Sequence, residues 1–206
     1  MLTKIAVLVS GGGTNLQALI DAQAAGKLPH GELAVVVSSN PTAYALERAK
    51  AAGIPAVVCS RKELCSQEAF EAAIGAALSE YGVRLIILAG FMSILSEDFT
   101  RRWPRRILNV HPSLIPSFCG KGMYGLKVHE AALEKGVKVT GATVHFVNEI
   151  PDGGEILLQR AVDIKQEDTP ETLQRRVMEQ AEWLLLPQAA ELVAKEIYEE
   201  RENSHV

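Results

Sequence analysis

Three things are scarce in this chain, and each scarcity excludes a class of protein. Cysteine is the first: Cys59, Cys65 and Cys119 are odd in number and match neither a disulfide framework nor a zinc-site spacing. An excess of positive charge is the second. Lys and Arg total 21 against 25 Asp and Glu, for a net charge of −4, so no basic face stands ready to neutralise a run of phosphates and no nucleic-acid partner is expected. Long apolar runs are the third: none approaches the roughly eighteen residues of a membrane span, so no membrane partner is expected either. Met1-Leu2-Thr3-Lys4 leads straight into a strand without a signal-peptide pattern. A cytoplasmic protein with reduced thiols is the expectation, and no cysteine reads as a nucleophile. No repeat, linker or composition shift divides the chain, and residues 1–206 are expected to form a single domain.

What is present is an alternation of short apolar runs and helical stretches. Apolar residues make up 48% and charged residues 22%, which suits a globular enzyme rather than a disordered chain. Strands are expected over Lys4–Val9, Leu33–Val37, Ile54–Val58, Leu85–Gly90 and the run ending at His111, with Leu85–Gly90 central because it is the most apolar. Helices are expected from Leu16 toward Gly26, over Thr42–Ala52 with Gly53 as C-cap, over Gln67–Tyr81, over a short stretch reaching Arg102, and over Leu126–Glu134. Pro112–Gly125, rich in glycine and proline, reads as a mobile loop. Val139–Val147 and Glu155–Ile164, joined by a short glycine-rich turn, read as an antiparallel pair at a sheet edge. Thr169 and Pro170 mark a helix start. The closing helix carries Leu173, Val177, Ala181, Leu184 and Leu185 on one stripe, is kinked or split by Pro187, and frays over Glu199–Val206. The fold class is α/β: a doubly wound, mostly parallel sheet with an antiparallel edge.

Two places in this pattern carry chemistry. Strand, Ser10-Gly11-Gly12-Gly13-Thr14-Asn15 and helix together form an anion site, where glycines allow close approach and the helix N-terminus offers free N–H groups. Leu16 stands where the dinucleotide fingerprint wants its third glycine, and the second strand ends in Ser38-Ser39-Asn40 without a carboxylate for a ribose. A single phosphate on a mononucleotide-like ligand fits better than NAD; a plain strand-to-helix turn is the alternative. The second place is Asn109-Val110-His111-Pro112. Alternation points Asn109 and His111 to one face at a strand's C-terminal end, where open α/β sheets bind ligands. An amide donor beside an imidazole suits a reaction that builds negative charge on a carbonyl oxygen. Alternatively, these polar groups simply cap exposed backbone. Asp152, before Gly153-Gly154, reads either as a turn former or as a partner of that pair. His145 reads as structural, His30 and His129 as surface residues, and Lys121 as a solvated lysine.

Ser10–Gln17, Leu88-Ala89-Gly90-Phe91-Met92, Asn109–Pro116, Gly141–Val147 and Asp152-Gly153-Gly154, taken in this order, resemble the phosphoribosylglycinamide formyltransferases, the folate-dependent transformylases of purine synthesis. The likeness runs from the first strand to the last helix and implies a Rossmann-like formyltransferase fold. It implies that Gly13, Thr14 and Asn15 hold the ribonucleotide phosphate, and that Asn109, His111 and Asp152 form the catalytic trio, with Thr143 at a neighbouring hydroxyl position where serine is more familiar. Glu182 falls where the family binds glycinamide ribonucleotide, after one extra residue, and Trp183 replaces a common histidine. The folate site is implied around Met92, Ser93, Ile94 and Leu95 and around Val147, Asn148, Glu149, Ile150, Pro151 and Asp152, with Asn109 between them. Ser93 replaces an arginine found in some members, and the loop Cys119–Gly125 is longer than the commonest version.

The resemblance implies formyl transfer from 10-formyltetrahydrofolate to the amine of glycinamide ribonucleotide without a metal. A homodimer is left open. Three other readings compete. A methionyl-tRNA formyltransferase would be expected to add a C-terminal nucleic-acid-binding domain and basic charge. A formyltetrahydrofolate hydrolase would keep the trio, lack the amine site and add an N-terminal regulatory domain. A non-catalytic nucleotide-binding module would leave Asn109, His111 and Asp152 unexplained.

Overall fold

The computed structural model describes residues 1–203. Its seven strands are β1 (Thr3–Val9), β2 (Gly31–Ser38), β3 (Ala56–Val58), β4 (Leu85–Leu88), β5 (Ile107–His111), β6 (Val139–Phe146) and β7 (Ile156–Asp163). They form one sheet in the order β3-β2-β1-β4-β5-β6-β7. The first five are parallel, and β6 and β7 close the far edge in antiparallel fashion. The apolar run at β4 is the middle strand, and all four of its residues are buried. The strand order reverses between β1 and β4, and the chain leaves the sheet there on both sides of a crevice. Ser10 Oγ spans it, accepting from the Met92 N–H at 2.9 Å and bonding the Ser39 hydroxyl at 2.6 Å.

The helices are α1 (Thr14–Ala24), α2 (Ala45–Ala51), α3 (Arg61–Leu64), α4 (Gln67–Glu80), α5 (Glu97–Arg101), α6 (Leu126–Lys135), α7 (Pro170–Val177) and α8 (Trp183–Asn203). Two apolar layers flank the sheet. On one face Ile5, Val7, Leu108, Val110 and Val144 pack with Leu16, Leu19, Leu173, Val193 and Ile197, which belong to α1, α7 and α8. On the other Ala6, Leu8, Val37, Ile86 and Ile107 pack with Phe70, Ile74 and Phe99 of α4 and α5. Successive strand residues therefore serve opposite layers, as a period of two requires. Among the described residues no helix is long and apolar enough to cross a membrane.

Several expectations need correction. The helix expected from Thr42 begins only at Ala45, because Asn40 folds its side-chain oxygen onto the Thr42 N–H and hydroxyl in a competing turn. The short helix expected to reach Arg102 is in place as α5, which starts after Ser96, whose hydroxyl caps the Phe99 N–H at 3.2 Å, and has Arg102 as its C-cap. The short helix α3 was not expected. At the C-terminus Pro187 lies inside α8, and the break in α-helical geometry is a π-helical turn over Met178–Glu182. A π-turn absorbs one extra residue, which rotates the stripe: Leu173, Val177, Ala181 and Leu185 stay buried, but Leu184 is 49% exposed. Glu199–Asn203 continues α8; the rest of the expected frayed tail, residues 204–206, lies outside the described residues.

Candidate active site

The antiparallel pairing of β5 with β6 assembles the polar cluster. Asn109 lies opposite His145 and His111 opposite Thr143, and residues directly opposite share a face. The intervening Leu108, Val110 and Val144 enter the apolar layer beneath. The four polar residues thus stand on the other face, beyond α4 and α5. After β6 the turn folds back over them and presents Asp152, whose φ of 56° is left-handed, a conformation that aspartate tolerates better than most side chains. Gly154 allows this close return, since a Cβ there would lie 1.7 Å from the Phe146 carbonyl oxygen.

Asp152 sits between two imidazoles, with Oδ2 3.5 Å from His111 Nδ1 and Oδ1 3.6 Å from His145 Nε2. The Gly120 N–H also donates to Oδ2, at 2.8 Å. Burial pushes its carboxyl up, but the hydrogen bonds from His145 and Gly120 and the neighbouring imidazole charges outweigh it, and the group is held below the ordinary aspartate range. His145 Nδ1 donates to the Phe146 carbonyl at 2.9 Å. Its Nε2 lies 3.1 Å from Asn109 Nδ2 and 3.6 Å from Asp152 Oδ1, accepting from the amide when bare and turning to the carboxylate when protonated, and one Asn109 N–H is left for a ligand. His111 is 4% exposed, and its Nε2 donates to the Phe118 carbonyl at 2.9 Å. A carbonyl can only accept, so Nε2 carries a proton and Nδ1 is the nitrogen turned to Asp152.

The other expected residues fall in different settings. The Thr143 hydroxyl donates to the Ser113 carbonyl at 2.7 Å and accepts from the Ile115 N–H and from Gln159 Nε2. It pins the chain just after His111, which is a positional task. Met92 and Ile94 are 57% and 71% exposed, Leu95 is buried in the apolar layer, and Ile150 is 58% exposed. The expected mobile loop is tethered by Phe118, Gly120 and the Ser113 hydroxyl, which donates to the Ser117 carbonyl at 2.6 Å.

At the head of α1, Gly13 adopts φ 71°, and Asn15 Nδ2 donates to Glu182 Oε2 at 2.8 Å. The π-turn places Glu182 there. Burial pushes its carboxyl up to about 7, against the smaller opposing effect of the Asn15 bond. Thr14 and Trp183 border one cavity of about 790 Å³ between α1 and α8.

Two histidines contradict the surface reading. His30 Nδ1 bonds Glu191 at 2.5 Å and its ring meets Tyr198 edge-on, tying the start of β2 to α8. His129 is fully buried on α6, and neither ring nitrogen has a partner among the described residues. Burial first, then the proximity of His111, lowers its pKa to about 4. The part of His145 in the cluster was also missed. Its signal was there: Thr143 and His145 repeat the one-apart spacing of Asn109 and His111.

An open α/β sheet with an amide donor, two imidazoles and a carboxylate grouped beside its switch point, and a glycine-rich turn across the crevice, has the groups that acyl chemistry uses. The chain belongs to the formyl transferase family, whose profile matches residues 3–189. It is 46% identical over 179 residues to the phosphoribosylglycinamide formyltransferase of Haemophilus influenzae, covering 87% of this chain and 82% of that protein. It is 48% identical over 193 residues to the trifunctional purine biosynthetic protein adenosine-3 of Gallus gallus, covering 93% of this chain. The chain spans only 18% of that longer protein. The crystal structure of glycinamide ribonucleotide transformylase 1 from Symbiobacterium toebii superposes with a TM-score of 0.87 at 44% identity, covering 94% of this chain and 88% of that one.

Proposed function

We propose that this protein transfers the formyl group of 10-formyltetrahydrofolate to the amino group of glycinamide ribonucleotide, giving N-formylglycinamide ribonucleotide. The observation that carries this reading is the grouping of Asn109, His111 and Asp152 in a member of the formyl transferase family. The free N–H of Asn109 donates to the formyl oxygen as charge develops there, and protonated His111, its two nitrogens facing the Phe118 carbonyl and Asp152, stabilises that charge through space. The amine attacks the formyl carbon, the bond from that carbon to the folate nitrogen breaks, and the proton lost by the amine ends on the folate nitrogen. Asp152 holds His111 in orientation and assists that proton's passage. Thr143 acts by fixing the turn after His111, and His145 by orienting Asn109.

Gly13, Thr14 and Asn15 receive the ribonucleotide phosphate at the head of α1, and Glu182 binds the ribonucleotide beside them. The folate lies between the segment Met92, Ser93, Ile94, Leu95 and the turn Val147, Asn148, Glu149, Ile150, Pro151, Asp152, meeting Asn109. Positioning and electrostatics carry this chemistry, with no metal in the scheme.

The test is deformylation of 10-formyltetrahydrofolate, or its dideaza analogue, followed by absorbance with and without glycinamide ribonucleotide. Turnover only with the ribonucleotide is the expected outcome. Turnover in its absence would make the protein a hydrolase, and silence in both would leave a binding module.

A further inference from the structure

The glycine-rich turn carries no cationic side chain of its own between Ser10 and Asn15, yet a guanidinium is built onto it. Arg48 of α2 donates from Nε to the Gly12 carbonyl at 2.8 Å and from Nη1 to Gln17 Oε1 at 2.9 Å. The Tyr44 ring centre lies 5.1 Å from its guanidinium carbon. Three restraints on one long side chain fix its charge in place. Helix α2 holds the turn in a second way, through the Ala45 N–H donating to the Gly11 carbonyl at 3.1 Å. The packing is close: a Cβ on Gly13 would lie 2.7 Å from Ala45 Cβ and 3.3 Å from Arg48 Cδ. Both glycine carbonyls are therefore engaged by α2, which leaves the turn's N–H groups for an anion.

Thr14, Gln17 and Arg48 border the same cavity. Its other cation, Lys27, lies past the far end of α1. Of its two carboxylates, Asp21 accepts from Gln17 and Glu191 is paired with His30.

We propose that Arg48 supplies the positive charge that offsets the ribonucleotide phosphate, acting through the peptides of the turn. This rests on the phosphate-binding reading of Gly13, Thr14 and Asn15. A phosphate monoester brings close to two negative charges, whereas a helix terminus offers about half a positive one. Glu182, bonded to Asn15, adds a further negative charge whenever it ionises. An arginine is always protonated and contributes a full charge.

Two variants separate charge from scaffolding. Arg48→Gln keeps a donor for the Gly12 carbonyl without the charge, and Arg48→Lys keeps the charge without the planar fork. Calorimetric titration with inorganic phosphate at fixed ionic strength gives one readout, and the KM for glycinamide ribonucleotide gives the other. Both constants should rise about tenfold or more in Arg48→Gln, equivalent to about 1.4 kcal/mol, and stay within about threefold in Arg48→Lys, where the electrostatic contribution survives. kcat and the KM for the formyl donor should move little in either. Unchanged constants in Arg48→Gln, or equal weakening in both variants, would overturn the proposal. Should Arg48→Gln fail to fold, a tenfold loss in Arg48→Lys would refute it alone. A wild-type protein that transfers formyl but does not bind phosphate would also refute it. One that does neither would remove the phosphate-loop reading itself.

Discussion

Replacing Glu182 by glutamine should make this protein more stable, by an amount that grows as pH rises from about 4.5 to about 7. Glu182 is 6% exposed, and desolvation raises its pKa from 4.5 to about 7. Between those two values the folded chain holds a proton that the unfolded chain has released. Stability therefore falls as pH rises through that window. At about 1.4 kcal/mol per pKa unit, the whole separation amounts to roughly 3 kcal/mol lost by pH 8, and almost nothing near pH 4. Glutamine keeps the acceptor for Asn15 Nδ2 and brings an amide N–H near Asn15 Oδ1, a buried oxygen without a partner among the described residues. A domain of this size gains about 2–4 °C in melting temperature per kcal/mol. Scanning fluorimetry of Glu182→Gln should thus show a rise on the order of 6–12 °C at pH 8 and little change at pH 4.5. A shift of equal size at both pH values would refute a titration origin. A lower melting temperature at pH 8 would refute the claim that burial disfavours this carboxylate. The same variant should bind the ribonucleotide less tightly, the usual conflict between stability and a site.

His111→Ala should retain calorimetric binding of glycinamide ribonucleotide while losing about 10²–10⁴-fold in kcat; near-normal turnover would remove His111 from the mechanism. Asn109→Ala should lower kcat about a hundredfold, near 3 kcal/mol, with the ribonucleotide KM little altered in steady-state assays. At the start of α7, the Arg176 fork and neighbouring donors hold the Asp168 carboxyl at about 2, so its stabilisation is present above about pH 4 and is lost as pH falls through 2. Asp168→Asn should cost about 1–2 kcal/mol in urea unfolding at pH 7, allowing for solvent beside the pair, and the variant and wild-type curves should converge near pH 2.

Much of the fold was legible because its signals are local. The β-branched runs at Lys4–Val9 and Leu85–Gly90 announce strands buried on both faces, and strands lie there, the second ending two residues early at Leu88. The Thr169–Pro170 start is a capping box in the structure. What escaped the sequence depends on partners distant along the chain. His129 is buried because α6 packs down against the site, and nothing within a turn of it says so. Leu184 left the apolar stripe because a single π-turn rotates everything after it, whereas a constant helical period assumes none. In the site, the alternation of Asn109 and His111 was readable, but the neighbourhood of His145 required knowing which strand pairs with β5. Arg48 gave no signal, since its hydrogen-bond partners are the Gly12 carbonyl, a group every residue possesses, and the side chain of Gln17, 31 residues away.

The loop over the site is fastened to His111 and Asp152 through the Phe118 carbonyl and the Gly120 N–H. Apart from Ser113, whose hydroxyl also holds the loop, side chains there are consequently free to drift under mutation without disturbing this fastening, because what is held is main chain. Its length and its glycines are not free in the same way: Gly120 and Gly122 have φ of 87° and 88°, a region that most side chains avoid. A recombinant library built in this segment would therefore do better to randomise identity, away from these glycines, than span.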